Sequence, residues 1–576
     1  MAKRNATWRV WAVIGTITIG LLVVIARLVQ LQIIDHDQYA EAARRTHLSQ
    51  ETLQDRRGAI LDRNGYPLAA SEDTFDVVVE IGAWEDPARA EEAAKEIAKI
   101  SGKYWRSLTD TVSDTDVFEV PVVRGLDYEQ SEYVKALNLR GVRLVRSSHR
   151  VYPEGNIAAQ LIGITGRDNN GLTGIENDFD LVLGGARGTI TTEVDALGNP
   201  LAHGKQSTVP ALPGSSVVLT IDRYIQRVAE RELDKAIKEH EATGGTIIVV
   251  RPETGEILAM VSRPAASLTR PDLSDDDALA LLRNRAITDS YEPGSTFKLI
   301  TMAAALDANE VYPEMWWEDF GVVHVDGWSI FNWDRSVNGS QTVTQILAKS
   351  LNTGAAWLSS LLGPDRFYQY VQAFGFGQPS NIGLSGEASG LVRTPENDPG
   401  WRQVDMATNA FGQGLSTTPL QLAMAVAAIA NDGQAMKPMI VREIAGATNI
   451  EYAPEPAGRP ISVETARTLR EMMGVVVSGI PSYLLDVQGY EVGGKTGTAN
   501  IADGNGSYKE GAYISSFVGI APLDDPELAI LIKIDEPQGV PWGTVVAAPA
   551  FGVIVQESLA YLKIPPGPEA LVSVTE

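Results

Sequence analysis

The chain has 576 residues of ordinary globular composition, too many for one core, so two or three domains are expected and a mostly disordered protein is excluded. A formal charge of −25 argues against a nucleic-acid binder and against adhesion to an anionic lipid surface. The absence of cysteine removes disulfides, thiolate metal sites and cysteine nucleophiles, and the six scattered histidines suggest no metal or cofactor centre.

The first predicted element is apolar. Lys3, Arg4 and Arg9 precede a charge-free run over 11–26, which Trp8 and a snorkelling Arg27 lengthen into a workable bilayer span. This reads as a cytoplasmic tail (1–9) and a transmembrane anchor (10–31). The basic residues place the N-terminus in the cytoplasm and everything after the anchor outside. No small-x-small cleavage site follows, which favours an uncleaved anchor over a signal peptide. Thr16 and Gly20 form a small-xxx-small pair of the kind that packs on a partner helix.

A helix is expected over 35–48, with Tyr39, Ala42 and Ala43 on one side. Asn64-Gly65, between two apolar stretches, predicts a hairpin over 57–69. A strand over 75–81 and an amphipathic helix over 87–100 follow. The Gly-, Pro-, Ser- and Thr-rich stretch 198–214 reads as a boundary. Beyond it come a strand over 217–222 leading into a helix over 223–240, then a hairpin of 246–250 with 257–262 through Pro252-Glu253-Thr254-Gly255. Helices over 341–362 and 418–430 and strands over 513–521 and 528–534 complete an α+β pattern. Residues 565–576 have the composition of a flexible tail.

Within this frame, Glu292-Pro293-Gly294-Ser295-Thr296-Phe297-Lys298 places a hydroxyl and an amine three residues apart at a helix start. Positions i and i+3 share a face, so Ser295 is a candidate nucleophile and Lys298, if kept neutral, its base. Such a serine also needs a proton route, a substrate clamp and oxyanion donors. Lys495-Thr496-Gly497-Thr498 follows Val492-Gly493-Gly494, where glycines allow a ligand close to the backbone. A second hydroxyl beside an amide occurs in Ser336-Val337-Asn338, of loop-like composition, and in Ser350-Leu351-Asn352, approached by a helix-type run; the second is preferred.

S-x-x-K, S-x-N and K-T-G in this order are the signature of penicillin-binding proteins and serine β-lactamases, and S-x-x-K and K-T-G each occur once here. Arg57-Gly58-Ala59-Ile60-Leu61-Asp62-Arg63-Asn64-Gly65, Arg150-Val151-Tyr152-Pro153 and Gly171-Leu172-Thr173-Gly174-Ile175-Glu176 resemble three landmarks of the class B penicillin-binding protein pedestal. Nothing resembles the glycosyltransferase signatures of the class A enzymes. The resemblance implies an elongated mainly-β/α pedestal of the dimerisation type over 32–213. It also implies a penicillin-binding/serine β-lactamase-like transpeptidase domain over 214–564, an antiparallel sheet flanked by helices.

It further implies a peptidoglycan D,D-transpeptidase, the division type being preferred over the elongation type. Ser295 would attack the penultimate D-alanine carbonyl of stem peptides ending in D-Ala-D-Ala, with β-lactams as covalent inhibitors. Lys298 would take the proton, helped by Lys495; Ser350 would relay it; Asn352 would hold the substrate amide and Lys298. Lys495 and Thr496 would bind the terminal carboxylate, and the N–H groups of Ser295 and Thr498 would form the oxyanion hole. Gly497 would leave room for substrate along its strand. The resemblance also implies a SEDS-family glycosyltransferase partner in the membrane. Alternative readings are a D-alanyl-D-alanine carboxypeptidase, a β-lactam hydrolase, or a non-catalytic membrane-anchored sensor or scaffold. Arg57, Asp62, Arg63, Arg150 and Glu176 read as structural ion pairs and turns. Gly412-Gln413-Gly414-Leu415-Ser416 resembles a family stretch near the site floor and reads as support for the fold, with direct substrate contact as the alternative; Trp316, Trp317, Trp328 and Trp333 read as core or surface packing residues, with a substrate groove as the alternative.

Overall fold

The computed structural model describes residues 4–37, 39, 48–53, 55–113, 119–166, 168–194, 201, 203–269, 271, 273–503 and 507–567. They gather into two compact units, 1–56 with 185–213, and 57–184 with 214–576.

In the first unit a helix, Arg4–Val29, runs into a wider turn, Gln30–Ile34. The apolar stretch Trp8–Ile34 is unburied, with a mean hydropathy of 2.4. At 1.5 Å per residue it is about 40 Å long, enough to cross a hydrocarbon core of about 30 Å. The unit also holds an antiparallel sheet in the order Leu48–Leu53, Gly188–Glu193, Gln206–Val209. Its last strand occupies part of the stretch read as a boundary, where Ser207, Thr208 and Val209 are compatible with pairing. Most of the helix expected over 35–48 lies outside the described residues, as do 195–200 and most of the expected tail; Leu48 itself begins a strand.

The second unit is built on two sheets. A seven-stranded sheet runs in the order Ile450–Glu451, Val441–Ala445, Ser216–Leu219, Ile60–Leu61, Pro67–Glu80, Glu119–Leu126, with Val142–Val151 also on Pro67–Glu80. The expected hairpin is present: Asp62 N donates to Tyr66 O, Asp62 Oδ1 accepts from the Asn64 and Tyr66 amides, and Gly65 takes φ +84°. The strand expected over 75–81 is the far part of Pro67–Glu80, and the helix expected over 87–100 is Pro87–Ser101.

The five-stranded sheet is antiparallel throughout, in the order Ile257–Arg263, Gly244–Val250, Leu528–Asp535, Tyr508–Ala521, Gly493–Ala502. The two helices Arg223–Glu239 and Ala548–Leu562 cover one face. The longer apolar stretch Gly543–Leu562 belongs to this core and is more than half buried. The other face meets a helical layer that includes Lys298–Asp307 and Pro419–Ala430. Nine of the ten residues of Lys298–Asp307 are buried, so this helix is the hub of its layer.

One expected element is corrected. Residues 341–362 are not one helix but the end of a strand, Gly339–Thr342, a short helix, Val343–Ala348, and a second helix from Asn352 that breaks at Gly363 (φ +70°) before the chain winds on to Ala373. The break falls at Ser350, whose φ of +57° is left-handed and cannot continue a helix. The first helix starts with a Thr342–Gln345 capping box, a signal that an apolar count passes over.

Candidate active site

Ser295 lies in a short 3₁₀ turn, Gly294–Phe297, that leads directly into Lys298–Asp307. In that winding i and i+3 eclipse, and the Ser295 Oγ stands 3.2 Å from Lys298 Nζ. The turn is pinned from two sides. Gly294 N donates to Gly412 O at 3.0 Å, and Thr296 Oγ1 donates to Pro293 O at 2.7 Å. A Cβ on Gly412, at φ +81°, would lie 2.1 Å from Gly294 O, so the glycine permits this close approach.

The break at Ser350 turns its carbonyl toward the same amine. Lys298 Nζ lies 2.6 Å from Ser350 O, 3.1 Å from Ser350 Oγ and 2.8 Å from Asn352 Oδ1. Two of these partners, the Ser350 carbonyl and the Asn352 amide oxygen, can only accept. A neutral amine has two N–H donors and one lone pair. With both donors spent on those oxygens, its lone pair is left to the hydroxyls of Ser295 and Ser350.

Lys495 stands on the edge strand of the five-stranded sheet, and its Nζ is 3.1 Å from Ser350 Oγ and 3.1 Å from Thr496 O. Ser350 Oγ is thus shared by two amines. Both lysines are buried, at 3% and 1% exposure. Burial, and then the neighbouring Lys495 charge, hold Lys298 well below the ordinary lysine range; burial alone brings Lys495 to about 7.

The structure therefore brings Ser295, Lys298, Ser350, Asn352 and Lys495 into one hydrogen-bonded cluster. Thr496, Gly497 and Thr498 continue along the edge strand beside it, whose outer side pairs with no strand among the described residues. A Cβ on Gly497 would come within 2.4 Å of Ser516 Oγ and 3.0 Å of Thr296 Cγ2. This glycine is thus required first by the packing of the edge strand against Ser516 of the neighbouring strand, and then against the Ser295 turn. Thr498 Oγ1 accepts from Gly543 N and faces Pro541 O, each at 3.4 Å.

Several residues fall elsewhere. Ser336 and Asn338 belong to a separate cluster around Asp319. Trp317 stacks on Trp357 at 5.5 Å, whereas Trp316, Trp328 and Trp333 are exposed, Trp333 meeting Trp542 edge-on at 5.0 Å. Among the described residues no group of His, Asp and Glu is arranged for a metal. Sequence reading passed over Glu292 as a separate group: it accepts from Gly414 N and from Tyr508 Oη, each at 3.0 Å, and burial raises its pKa. Its adjacency to the Pro-Gly turn was the available signal.

The pedestal landmarks form ion pairs and a turn. Glu176, fully buried, bridges Arg57 and Arg150 at 2.6 Å each. Arg57 also pairs with Asp180 at 2.6 Å, and Arg63 with Glu256 at 3.2 Å.

Comparison with known proteins agrees with this geometry. The family description "Penicillin binding protein transpeptidase domain" matches residues 245–556, and "Penicillin-binding Protein dimerisation domain" matches 52–219. The chain is 34% identical to Stage V sporulation protein D of Bacillus subtilis, over 95% of this chain and 85% of that protein. It is 30% identical to peptidoglycan D,D-transpeptidase FtsI of Escherichia coli, over 97% and 93%. A crystal structure of penicillin binding protein 3 from Mycobacterium tuberculosis, complexed with aztreonam, superposes with a TM-score of 0.69 at 28% identity, over 90% and 98%.

Proposed function

Because the chain belongs to the class B penicillin-binding proteins, we propose that Ser295 is the acylated nucleophile with which it cross-links peptidoglycan. The enzyme is a serine-type D,D-transpeptidase of cell wall synthesis, and β-lactams bind it as they bind its family. The observation that carries the role of Ser295 is the Lys298 amine, 3.2 Å from Ser295 Oγ with two carbonyl acceptors at 2.6 and 2.8 Å.

The steps follow from the cluster. Ser295 Oγ attacks the penultimate D-alanine carbonyl while its proton passes to the lone pair of Lys298. The N–H groups of Ser295 and Thr498 receive the oxyanion; one such donor is worth roughly 3–4 kcal/mol of barrier. Ser350 Oγ, between two amines, gives its proton to the departing D-alanine nitrogen as the C–N bond breaks and takes in return the proton that Lys298 received, which leaves Lys298 neutral again. An amine from a neighbouring peptide then attacks the ester, forms the new amide and returns the proton to Ser295. Asn352 Nδ2 donates to Phe331 O at 3.2 Å and has a second N–H for the substrate amide. Thr496 and a protonated Lys495 take the substrate carboxylate; an anion there raises the Lys495 pKa from its buried value. Gly497 presents its backbone to the peptide lying along the edge strand.

The protein is membrane-anchored. Residues 10–31 are the anchor, 1–9 face the cytoplasm, and the pedestal (32–213) and transpeptidase domain (214–564) lie outside. A SEDS-family glycosyltransferase is the partner that supplies glycan strands. Similarity to FtsI supports a division role over elongation.

Fluorescent penicillin should label the purified full-length protein covalently, and Ser295→Ala should abolish labelling. Label that persists on the variant overturns the assignment. Incubation with lipid II and a polymerising partner should give cross-linked product; free D-alanine alone would mark a carboxypeptidase.

A further inference from the structure

The other S-x-N stretch, Ser336-Val337-Asn338, leads to a buried anion. Asp319, at the end of the strand Trp316–Asp319, is fully buried and has no ion-pair partner among the described residues. Five hydrogen bonds replace one. Oδ1 accepts from Gly321 N and Thr353 Oγ1, each at 2.9 Å. Oδ2 accepts from Asn332 Nδ2 at 2.9 Å, Asn338 N at 3.1 Å and Asn338 Nδ2 at 2.9 Å. Burial pushes such a carboxyl up; the bonds from Asn338, Gly321 and Thr353 outweigh it and hold Asp319 below the usual carboxylate range. Asn338 is thus absorbed as a donor to this carboxylate.

The cluster grips the chain on either side of the site's amide. Thr353, the neighbour of Asn352, donates its N–H to Asn332 Oδ1 at 3.4 Å, and its hydroxyl lies 2.9 Å from the same oxygen. Phe331, the neighbour of Asn332, accepts from Asn352 Nδ2. Asn352 begins a helix that runs to a break at Gly363 (φ +70°), so the buried carboxylate also lies at the electropositive end of a helix dipole. The backbone immediately before it is the left-handed Ser350, a conformation that persists only when its surroundings enforce it.

We infer that Asp319 is a positioning residue for acylation. Through Asn332 and Thr353 its carboxylate holds Asn352 Oδ1 and Ser350 O against the Lys298 amine, so that the amine's lone pair stays directed at Ser295. This rests on the reading of Ser295 and Lys298 as nucleophile and base. A misplacement of about 1 Å at such a site costs on the order of 100-fold in rate.

The test uses the full-length protein in detergent, with the acylation rate constant for fluorescent penicillin measured against pH beside thermal unfolding. Asp319→Asn turns an acceptor into a donor facing donors, and Thr353→Val removes one hydroxyl without changing side-chain size; Thr353→Ser keeps the hydroxyl. The expected result is at least fivefold slower acylation in Asp319→Asn and Thr353→Val, with labelling still complete at long times. The acid limb of their rate profiles should move to lower pH, because a displaced Asn352 oxygen no longer favours the protonated amine. Thr353→Ser should behave as wild type. Slowing below fivefold, an unmoved limb, a reduced labelled fraction at unchanged rate, or a Thr353→Ser variant as slow as Thr353→Val would overturn the inference. If Asp319→Asn does not fold, the two Thr353 variants decide alone. Label remaining on Ser295→Ala would instead overturn the underlying reading of the site.

Discussion

The backbone oxygen of Ser350 lies 2.6 Å from the amine of Lys298, delivered there by a residue in left-handed backbone conformation. Ser350→Gly tests whether conformation or hydroxyl matters more. Glycine adopts φ near +57° without the penalty of roughly 1–2 kcal/mol that a Cβ incurs, so the folded protein should be at least as stable as wild type. The variant lacks the Oγ shared by Lys298 and Lys495, and acylation should fall 10²- to 10⁴-fold, the usual range for lost proton transfer. Stopped-flow labelling and thermal unfolding measure the two halves; a stable variant with wild-type acylation would remove Ser350 from the proton route.

Lys495 contributes to the depressed pKa of Lys298 through its charge. Replacing it by an uncharged residue, as in Lys495→Gln, removes that repulsion and leaves burial as the remaining cause. Lys298 then holds its proton to higher pH, and since only the neutral amine accepts from Ser295, the acid limb of the acylation profile should move to higher pH. The limb is read from rate constants at saturating β-lactam, so that weaker binding does not mask it. A limb that moves down contradicts the electrostatic argument.

Burying Lys298 also costs stability, with a sign that can be worked out. Its folded pKa lies well below the value near 10.4 of an unfolded lysine. Between those two values the unfolded chain holds a proton that the folded one releases, so this group's contribution to stability falls as pH falls through that window. Lys298→Met fills similar space without the charge. It should therefore be more stable than wild type at pH 7, by a margin that shrinks as pH approaches 10, and it should not acylate. Denaturation midpoints at pH 7 and 9.5 test this; a margin that grows with pH refutes it.

Much of this architecture is legible in the chain, and the gaps have physical causes. Ser295 and Lys298 are local partners, so their meeting follows from spacing alone. The Asn64-Gly65 turn is similarly local and is found as read. The interruption at Ser350 is not legible, because the helix-type run Gln345-Ile346-Leu347-Ala348-Lys349 leads straight into it and only tertiary contacts hold the left-handed conformation. Asp319 is equally silent: an acidic pair, Glu318-Asp319, beside Phe320 gives no sign that five donors from 321, 332, 338 and 353 converge on the second carboxylate. Strand order is also hidden, since Gly493–Ala502 is the edge of its sheet only once all five strands are placed.

Gly497 distinguishes two reasons for a glycine. If its bareness serves only substrate, Gly497→Ala should leave the free enzyme's stability untouched. The structure places an added Cβ 2.4 Å from Ser516 Oγ, so the variant should unfold at lower temperature and acylate slowly even with small β-lactams. Adding Ser516→Ala removes the nearest obstacle and should recover part of both losses, while Thr296 Cγ2 at 3.0 Å keeps recovery incomplete. Such coupling is what contacting residues show in double-mutant cycles.

Glu176 supplies a control remote from the chemistry in role. Its carboxylate is fully buried and holds two arginines that are themselves buried, Arg57 and Arg150, each at 2.6 Å. Glu176→Gln removes the compensating charge and leaves two guanidinium groups facing each other, with Asp180 the one carboxylate remaining on Arg57 beside the Asn169 and Glu176 carbonyls. Breaking a buried ion pair in this way costs about 3–5 kcal/mol, far more than an exposed pair would. The variant should therefore lose several degrees of thermal stability, and a smaller fraction of it should be folded. The folded fraction should keep the wild-type acylation rate constant and the wild-type position of its acid limb, because Glu176 makes no contact with Lys298, Ser350 or Lys495. Labelling amplitude and rate constant separate these effects in one experiment. A normal amplitude with an altered rate constant or limb would instead make the Glu176 cluster part of the machinery that sets the lysine.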